Sequence, residues 1–224
     1  MNRRFDHIIF DLDGTLIDSA PAILACFSEV LAARGIAPLV QIDNSLIGPP
    51  LVATLGRLSG VAEKADLDVL AGDFKRLYDE EGLRHTRLYP GIEEQLQRLS
   101  ESGHRLHIAT NKRQHPTSLI LENLGMVGRF DTVYANDRIT PAYASKAALL
   151  AAQLRDLGLV PGRTCYVGDR GDDARAAQAN HLAFCFVAWG YPEAADVLAA
   201  SDWTTVREMG KLADVLSGHA GWEA

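Results

Sequence analysis

The chain has 224 residues, 47% of them hydrophobic and 23% charged, and it carries a formal net charge of -7. This length and composition are typical of a globular protein with one large domain, or with one domain that carries a smaller inserted one, and they exclude a disordered or fibrous chain. The net negative charge, without any run rich in Lys or Arg, excludes nucleic acid as the main partner, because phosphate-backbone binding needs clustered positive charge.

The first predicted element is a short buried strand at residues 7–10 (HIIF), which ends in an acidic, glycine-containing segment at residues 11–14 (DLDG). A strand of this kind meets solvent at its C-terminal end. The apolar run is much too short to span a bilayer or to act as a secretory signal. We therefore expect a soluble, cytoplasmic protein that does not bind membranes.

A separate all-helical unit is predicted from Ser19 to about Arg84, where apolar residues recur with helical spacing. The pattern breaks once, at residues 48–50 (GPP). Because this unit follows the first strand almost directly, we expect it to lie over the ends of the sheet strands and to act as a lid.

After residues 89–91 (YPG) helices and strands alternate, which predicts a parallel sheet. The predicted strands lie near residues 106–109, 131–134, 164–167 and 183–188. The predicted helices lie near residues 92–102, 116–124, 145–157 and 173–179. Ligands bind at the carboxyl ends of the strands in such sheets, so polar residues at those ends form the candidate site.

The cysteines and histidines show no disulfide or zinc pattern. Cys26, Cys165 and Cys185 lie among apolar neighbours and never approach C-x-x-C spacing, which predicts buried, reduced thiols. The seven histidines show no H-E-x-x-H or paired Cys/His spacing, so a zinc site is disfavoured. These patterns do not exclude a binding site for a hard cation with oxygen ligands.

The carboxylates that follow the first strand form the first chemical cluster. Asp11 and Asp13 project to the same side if the backbone stays extended, and Gly14 then allows a turn. A surface turn rich in Asp and Gly is one alternative. A calcium-binding EF-hand loop is rejected, because Gly14 is fourth rather than sixth and Ala22 stands where the terminal Glu is required.

A second acidic cluster, at residues 167–173 (VGDRGDD), also follows an apolar strand. A solvated loop explains this segment alone, but neighbouring strands would place three or four carboxylates in one cleft. Like charges about 4 Å apart cost on the order of a few kcal/mol each, so a divalent cation is the natural counter-charge. Ligation by oxygen alone favours magnesium.

Polar residues between these clusters are further candidates for the site. Thr110 and the backbone of Asn111 follow a predicted strand and lie just before a helix, where a hydroxyl and free N–H groups can hold a phosphate oxygen. Taken alone, Thr110 is better explained as a capping or turn residue. Lys146, at the start of a predicted helix, is equally well explained as a solvated surface charge.

Four features in this order resemble the four motifs of the haloacid dehalogenase-like (HAD) hydrolase superfamily. They are residues 11–16 (DLDGTL), Thr110, Lys146 and residues 168–173 (GDRGDD). The first motif is highly specific, and the resemblance extends over nearly the whole chain. A closer similarity, to the phosphoglycolate phosphatase branch, rests on residues 47–50 (IGPP), 89–92 (YPGI), 168–170 (GDR) and 189–191 (WGY).

This resemblance implies an α/β fold with a Rossmann-like parallel-sheet core and an inserted all-helical cap domain. The core would comprise residues 1–15 and 88–224, and the cap residues 16–87. Substrate choice would lie in the cap, where Gly48 is a candidate substrate contact. A monomer or a homodimer is expected.

The resemblance also implies a role for each site residue. Asp11 would be the nucleophile that forms an aspartyl-phosphate, and Asp13 the acid and then the base. Thr110 and Asn111 would hold a phosphoryl oxygen, and Lys146 would neutralise charge on the nucleophile and the phosphate. Positioning and charge stabilisation of this kind account for most of the catalysis of phosphoryl transfer.

The implied metal is Mg²⁺. Its ligands would be Asp11, the backbone carbonyl of Asp13, Asp169 and Asp173, the last directly or through a water molecule. Asp172 is a competing candidate that the motif spacing disfavours.

The function that these roles imply is magnesium-dependent hydrolysis of a small phosphorylated metabolite, with phosphoglycolate as the leading candidate. A phosphotransferase of the β-phosphoglucomutase type, a pyrophosphatase and a nucleotidase remain alternatives. A phosphonatase is disfavoured, since Lys64 and Lys75 lack the context of a Schiff-base lysine. A non-catalytic binding module is disfavoured because the full set of roles is filled.

Overall fold

The structure, a computed structural model, describes residues 4–218 apart from the side chain of Ser201. The strands are β1 (His7–Phe10), β2 (Ile17–Asp18), β3 (Arg87–Leu88), β4 (Arg105–Thr110), β5 (Thr132–Ala135), β6 (Thr164–Gly168), β7 (Ala183–Val187) and β8 (Thr204–Val206). The helices are α1 (Ala20–Ala33), α2 (Leu51–Ser59), α3 (Lys64–Glu80), α4 (Ile92–Glu101), α5 (Gln114–Asn123), α6 (Lys146–Leu157), α7 (Gly171–Ala179), α8 (Ala194–Ala199) and α9 (Leu212–Leu216).

The main sheet of the described residues is parallel and has the strand order β5-β4-β1-β6-β7-β8. Strand β1 lies in the middle, and Phe10 at its end is level with Ile108 on β4 and with Val167 on β6. The carboxyl ends of these three strands therefore lie side by side at one edge of the sheet. Ligands bind at this edge in open α/β sheets.

Apolar runs in the strands are explained by burial on both faces, as a parallel sheet covered by helices requires. Helices α6 and α7 pack on each other and on strands β4 to β7. Ile9, Tyr166 and Leu149 lie in the buried cluster between these helices and the sheet. Successive strand residues face opposite sides, so Ile8 and Phe10, which are also fully buried, face the other layer.

The chain divides into two compact units, Met1–Asp18 with Leu88–Ala224, and Ser19–Arg87. The second unit contains α1, α2 and α3, and Phe27 on α1 lies 4.7 Å from Phe74 on α3 between ring centroids. The predicted cap began at Leu16, whereas this unit begins at Ser19. Its role as a cap stays a prediction, and residues 1–3 and 219–224 of the predicted core lie outside the described residues.

The α/β fold class, with a parallel sheet and flanking helices, is confirmed. The sequence patterns did not predict β8, because it has only three residues and two of them are threonine. Cys26, Cys165 and Cys185 are buried and free of disulfides, as predicted. Within residues 4–218, none of the helices combines the length and the apolar character needed to cross a membrane.

A histidine pair inside the sheet makes the fold sensitive to acid. His7 Nδ1 lies 3.0 Å from His107 Nε2, and His107 Nδ1 lies 2.9 Å from the Thr132 hydroxyl. Burial lowers the pKa of His107 to about 4, and the neighbouring His7 adds to this shift. The neutral ring is therefore favoured in the folded state, while the unfolded chain binds a proton near pH 6.5.

We expect wild-type protein to lose about 2 kcal/mol of unfolding free energy through His107 alone between pH 7 and pH 5, because only the unfolded state binds this proton. His107→Gln should show a correspondingly smaller loss. Urea unfolding at the two pH values measures the difference, with the exposed His115→Gln as control. An equal loss in wild type and His107→Gln would contradict the prediction.

Candidate active site

Three buried carboxylates meet at the carboxyl edge of the sheet. Asp11 follows β1, Asp169 follows β6, and Asp173 lies in the first turn of α7. One oxygen from each can be chosen so that all three lie within 4.8 Å of one another. Asp11 is 5% exposed, and Asp169 and Asp173 are fully buried. Three carboxylates that lie this close together and away from solvent repel one another, and a nearby positive charge is needed to offset that repulsion.

Lys146 supplies part of that positive charge. Its Nζ lies 3.0 Å from Asp11 Oδ1 and 2.5 Å from Asp173 Oδ1, and its side chain is only 7% exposed. Ser145 caps α6 by accepting a hydrogen bond from the Ala148 N–H, which places Lys146 at the first helical position. The alternative of a solvated surface lysine is therefore excluded.

The electrostatics of this cluster are dominated by burial. Burial raises the pKa of the Asp11 carboxyl to about 7, although the Lys146 ammonium opposes the shift and the Asp173 carboxylate adds to it. Burial and the neighbouring carboxylates also raise the pKa of Asp169. Burial alone would lower the pKa of Lys146, but Asp11 and Asp173 outweigh it and hold that pKa well above its usual value.

Hydrogen bonds fix Asp169 and leave Asp11 less constrained. Asp169 Oδ2 accepts from the Tyr191 N–H at 2.7 Å, and Asp169 Oδ1 accepts from the Thr15 hydroxyl at 3.2 Å. Among residues 4–218, Asp11 Oδ2 has no hydrogen-bond partner, while Asp11 Oδ1 contacts Lys146. One oxygen of Asp11 thus remains available for chemistry.

Asp173, rather than Asp172, joins the acidic cluster. Asp173 Oδ2 accepts from the Arg170 N–H at 3.2 Å, and Asp173 Oδ1 lies 3.2 Å from the Tyr166 hydroxyl. Asp172 instead pairs with the Arg170 guanidinium at 3.3 Å, and its side chain is 36% exposed. The helix turn thus directs one acid inward and the other toward the surface.

Gly14 lets the chain turn closely past Asp169. Its φ is +84°, and a Cβ at this position would lie 2.2 Å from Asp169 Oδ2. The Gly14 N–H donates to the Ile17 carbonyl at 2.9 Å, which closes the turn after the two aspartates. The glycine is needed both for the backbone conformation and for the space.

We expect Gly14→Ala to lower activity at least about a hundredfold, because the added methyl group displaces Asp169 and because mispositioning by about 1 Å near the chemistry can cost this much. The matched control is Gly128→Ala, where φ is +81° but a Cβ meets nothing within 4 Å. Both variants carry the backbone strain, and only the first carries the clash. Initial rates of the two variants test the prediction, and thermal unfolding shows whether each variant is folded. Equal activity in the two variants would contradict it.

Thr110 is the last residue of β4 and Asn111 follows it. Strand β4 is the neighbour of β1, which Asp11 follows. Thr110 is 1% exposed, and its hydroxyl accepts from the Lys112 N–H at 3.1 Å, as a turn residue would. Asn111 is partly exposed. The structure is therefore compatible with both interpretations of Thr110, and its phosphate contact stays a prediction.

Lys112 is a site residue that the sequence patterns did not single out. Its Nζ lies 2.8 Å from Asp13 Oδ1 and 3.1 Å from Asp13 Oδ2, and its side chain is 7% exposed. Its place two residues after a candidate phosphate-binding threonine was the available signal. Gly48 lies in the second unit with φ at +102°, and its substrate contact stays a prediction.

Comparisons with known proteins agree with this geometry. A sequence model described as haloacid dehalogenase-like hydrolase matches residues 8–187. The chain is 35% identical over 194 residues to a phosphoglycolate phosphatase of Rhodobacter capsulatus, covering 82% of this chain and 84% of that protein. A haloacid dehalogenase-like family hydrolase from Streptococcus pneumoniae has a TM-score of 0.82 at 26% identity, covering 95% of this chain and 99% of that one.

The chain is also 35% identical over 189 residues to the tyrosine-protein kinase PtkA of Mycobacterium tuberculosis. That match covers 84% of this chain but only 63% of PtkA, so the chain spans less than two thirds of this relative. The family match at residues 8–187 includes Asp11, Thr110, Lys146 and Asp169, and it covers most of the sequence. The chain belongs to the haloacid dehalogenase-like hydrolase family.

Proposed function

We propose that the protein is a magnesium-dependent phosphatase that hydrolyses a small phosphorylated metabolite through an aspartyl-phosphate. The observation that carries this proposal is the state of Asp11. It is buried beside Lys146 at the carboxyl end of the central strand, and one of its oxygens has no hydrogen-bond partner among the residues described. The oxygens of the other two buried acids are held by hydrogen bonds.

In the first step, Asp11 Oδ2 attacks phosphorus, the P–O bond of the ester breaks, and Asp13 gives its proton to the leaving oxygen. In the second step, Asp13 takes a proton from a water molecule whose oxygen bonds to phosphorus. The bond between Asp11 and phosphorus breaks, which restores the Asp11 carboxylate and releases inorganic phosphate. Lys146 stays protonated throughout and offsets the negative charge on Asp11 and the phosphoryl group. Thr110 and the Asn111 backbone would hold a phosphoryl oxygen.

The donor set fits Mg²⁺. Asp11, Asp169 and Asp173 provide only carboxylate oxygens, and these can lie within 4.8 Å of one another. The backbone carbonyl of Asp13 would be a further ligand. When bound, the ion would neutralise phosphate charge and orient the phosphoryl group.

Phosphoglycolate is the substrate we test first, because the Rhodobacter capsulatus relative is named a phosphoglycolate phosphatase. The core contacts only the phosphoryl group in this proposal, so the organic part of the substrate would be selected elsewhere, with Gly48 as a candidate contact. The proposed partner is therefore a small phosphorylated metabolite. The proposed location is the cytoplasm.

The test is phosphate release from a panel of phosphorylated metabolites, phosphoglycolate included, with and without Mg²⁺. We expect release that needs the metal and that differs between substrates. Absence of release from every member of the panel, with the metal present, would contradict the proposal. EDTA followed by Mg²⁺ should abolish and then restore activity.

A second candidate function is phosphoryl transfer to an acceptor other than water. The similarity to PtkA, which is named a tyrosine-protein kinase, favours testing it. Asp11 and Asp13 would act in the same way in the first half of that reaction. Product analysis separates the two functions. Hydrolysis releases one inorganic phosphate for each substrate molecule consumed, whereas transfer to a sugar or a tyrosine hydroxyl releases less.

A further inference from the structure

The contact between Lys112 and Asp13 has no assigned role in the reaction described above. The Lys112 ammonium lies 2.8 and 3.1 Å from the two oxygens of Asp13. The Lys112 side chain is 7% exposed and that of Asp13 is 16% exposed, so the pair is largely shielded from water. A shielded, charge-assisted contact to both oxygens restricts the orientation of a carboxyl group far more than a surface ion pair does.

The backbone of Lys112 is fixed on both sides. Its N–H donates to the Thr110 hydroxyl at 3.1 Å, and its carbonyl accepts from the Asn136 N–H at 3.1 Å. The first contact ties Lys112 to a candidate phosphate-binding residue, and the second ties it to the loop after β5. Lys112 is thus anchored just after the end of β4, and its ammonium extends from there toward Asp13.

We propose that Lys112 is a positioning residue that holds the Asp13 carboxyl in the orientation needed for proton transfer to the leaving group. This inference rests on the proposed phosphatase function and on the role of Asp13 in it. Because Nζ reaches both oxygens, one contact persists while the other oxygen faces the substrate. Lys112 contacts neither the phosphorus nor the leaving oxygen in this role, and acts through Asp13.

The step in which Lys112 matters is the cleavage of the ester. Asp11 bonds to phosphorus, the bond from phosphorus to the leaving oxygen breaks, and the proton of Asp13 moves to that oxygen. The Asp13 carboxylate that results is then held by the Lys112 ammonium. An alkoxide leaving group needs this proton, whereas p-nitrophenolate is stable without it, so the two leaving groups should depend differently on Lys112.

The experiment compares kcat/KM of wild type, Lys112→Met and Lys112→Arg for an alkyl phosphate and for p-nitrophenyl phosphate. The quantity kcat/KM reports the steps up to the first irreversible one, which includes ester cleavage. We expect Lys112→Met to lower kcat/KM at least about thirtyfold for the alkyl ester and less than about fivefold for the aryl ester, within the range of general acid catalysis. Lys112→Arg should recover most of the loss.

Two controls separate positioning from damage to the fold. Lys211→Met changes an exposed lysine of the same core unit and should behave as wild type. In an Asp13→Asn background, Lys112→Met should cause little further loss for the alkyl ester, because its effect passes through Asp13. This cycle is informative even when Lys112→Met lowers the thermal midpoint, since both backgrounds carry the same structural cost.

The outcomes are distinct. Equal losses for the two esters, or a full further loss in the Asp13→Asn background, would overturn the role of Lys112 while leaving the phosphatase function in place. Wild-type rates in Lys112→Met for both esters would overturn it as well. No hydrolysis by wild type of either ester, or of any member of the metabolite panel, would overturn the proposed function, and this inference with it.

Discussion

Asp11→Asn is expected to abolish phosphate release, with kcat lowered at least about a thousandfold, because an amide cannot form the acyl-phosphate bond. The substitution keeps the size of the side chain, so packing against β6 should be unchanged. The Asp11 N–H still donates to the Val167 carbonyl at 2.9 Å, which holds the backbone in place. Initial rates on the best substrate of the panel provide the measurement. Acid quenching of both proteins should in addition detect phosphoenzyme in wild type and not in Asp11→Asn.

The matched control is Asp202→Asn, which makes the same chemical change at an exposed position of the same unit. It should retain wild-type kcat and KM. If Asp11→Asn keeps more than a tenth of wild-type kcat, another group attacks phosphorus and the prediction is contradicted. Thermal unfolding of each variant confirms that any loss of rate comes from a folded protein.

The position of the acidic cluster could be predicted from the sequence because it depends on local patterns. Each of the strands β1 and β6 is a short, mostly apolar run that an aspartate follows directly. In a parallel sheet both runs end at the same edge, whatever the strand order. The sequence therefore predicts that Asp11 and Asp169 lie at the same edge of the sheet.

Contacts between distant segments could not be predicted in the same way. The Lys112 contact with Asp13 joins residues 99 positions apart, and it requires β1 and β4 to be neighbours in a particular register. The backbone N–H of Tyr191 donates to Asp169, and a backbone donor leaves no signature in residue type. Such contacts depend on strand order and loop path, which hydrophobic periodicity does not specify.

The burial of Lys146 shows where base rates for a residue type mislead. Most lysines are solvated, so the local pattern alone left the role of Lys146 open. In the fold, the first position of α6 lies against two buried carboxylates, and their attraction offsets the cost of burying the ammonium. The order of motifs along the chain, rather than the local pattern, identified this lysine correctly as part of the cluster.

Addition of Mg²⁺ is expected to stabilise the wild-type protein, since the ion would relieve the repulsion among three buried carboxylates. At a metal concentration of about one hundred times Kd, linkage predicts about 2.7 kcal/mol of added stability. Asp169→Asn should lose this stabilisation, because it removes one of the three charged ligands. The same variant should be at least as stable as wild type without metal, because one fully buried charge is gone and the Tyr191 N–H retains an acceptor.

Asp172→Asn is the control for this measurement, because Asp172 carries the same charge three residues along the chain but lies outside the cluster and pairs with Arg170. It should keep the full metal-induced rise in the thermal midpoint. Thermal unfolding of the three proteins, after EDTA treatment and with increasing Mg²⁺, gives the comparison. A rise that survives in Asp169→Asn and disappears in Asp172→Asn would move the metal site away from the buried cluster, whereas the expected pattern assigns the ion to the acids that the sheet itself brings together.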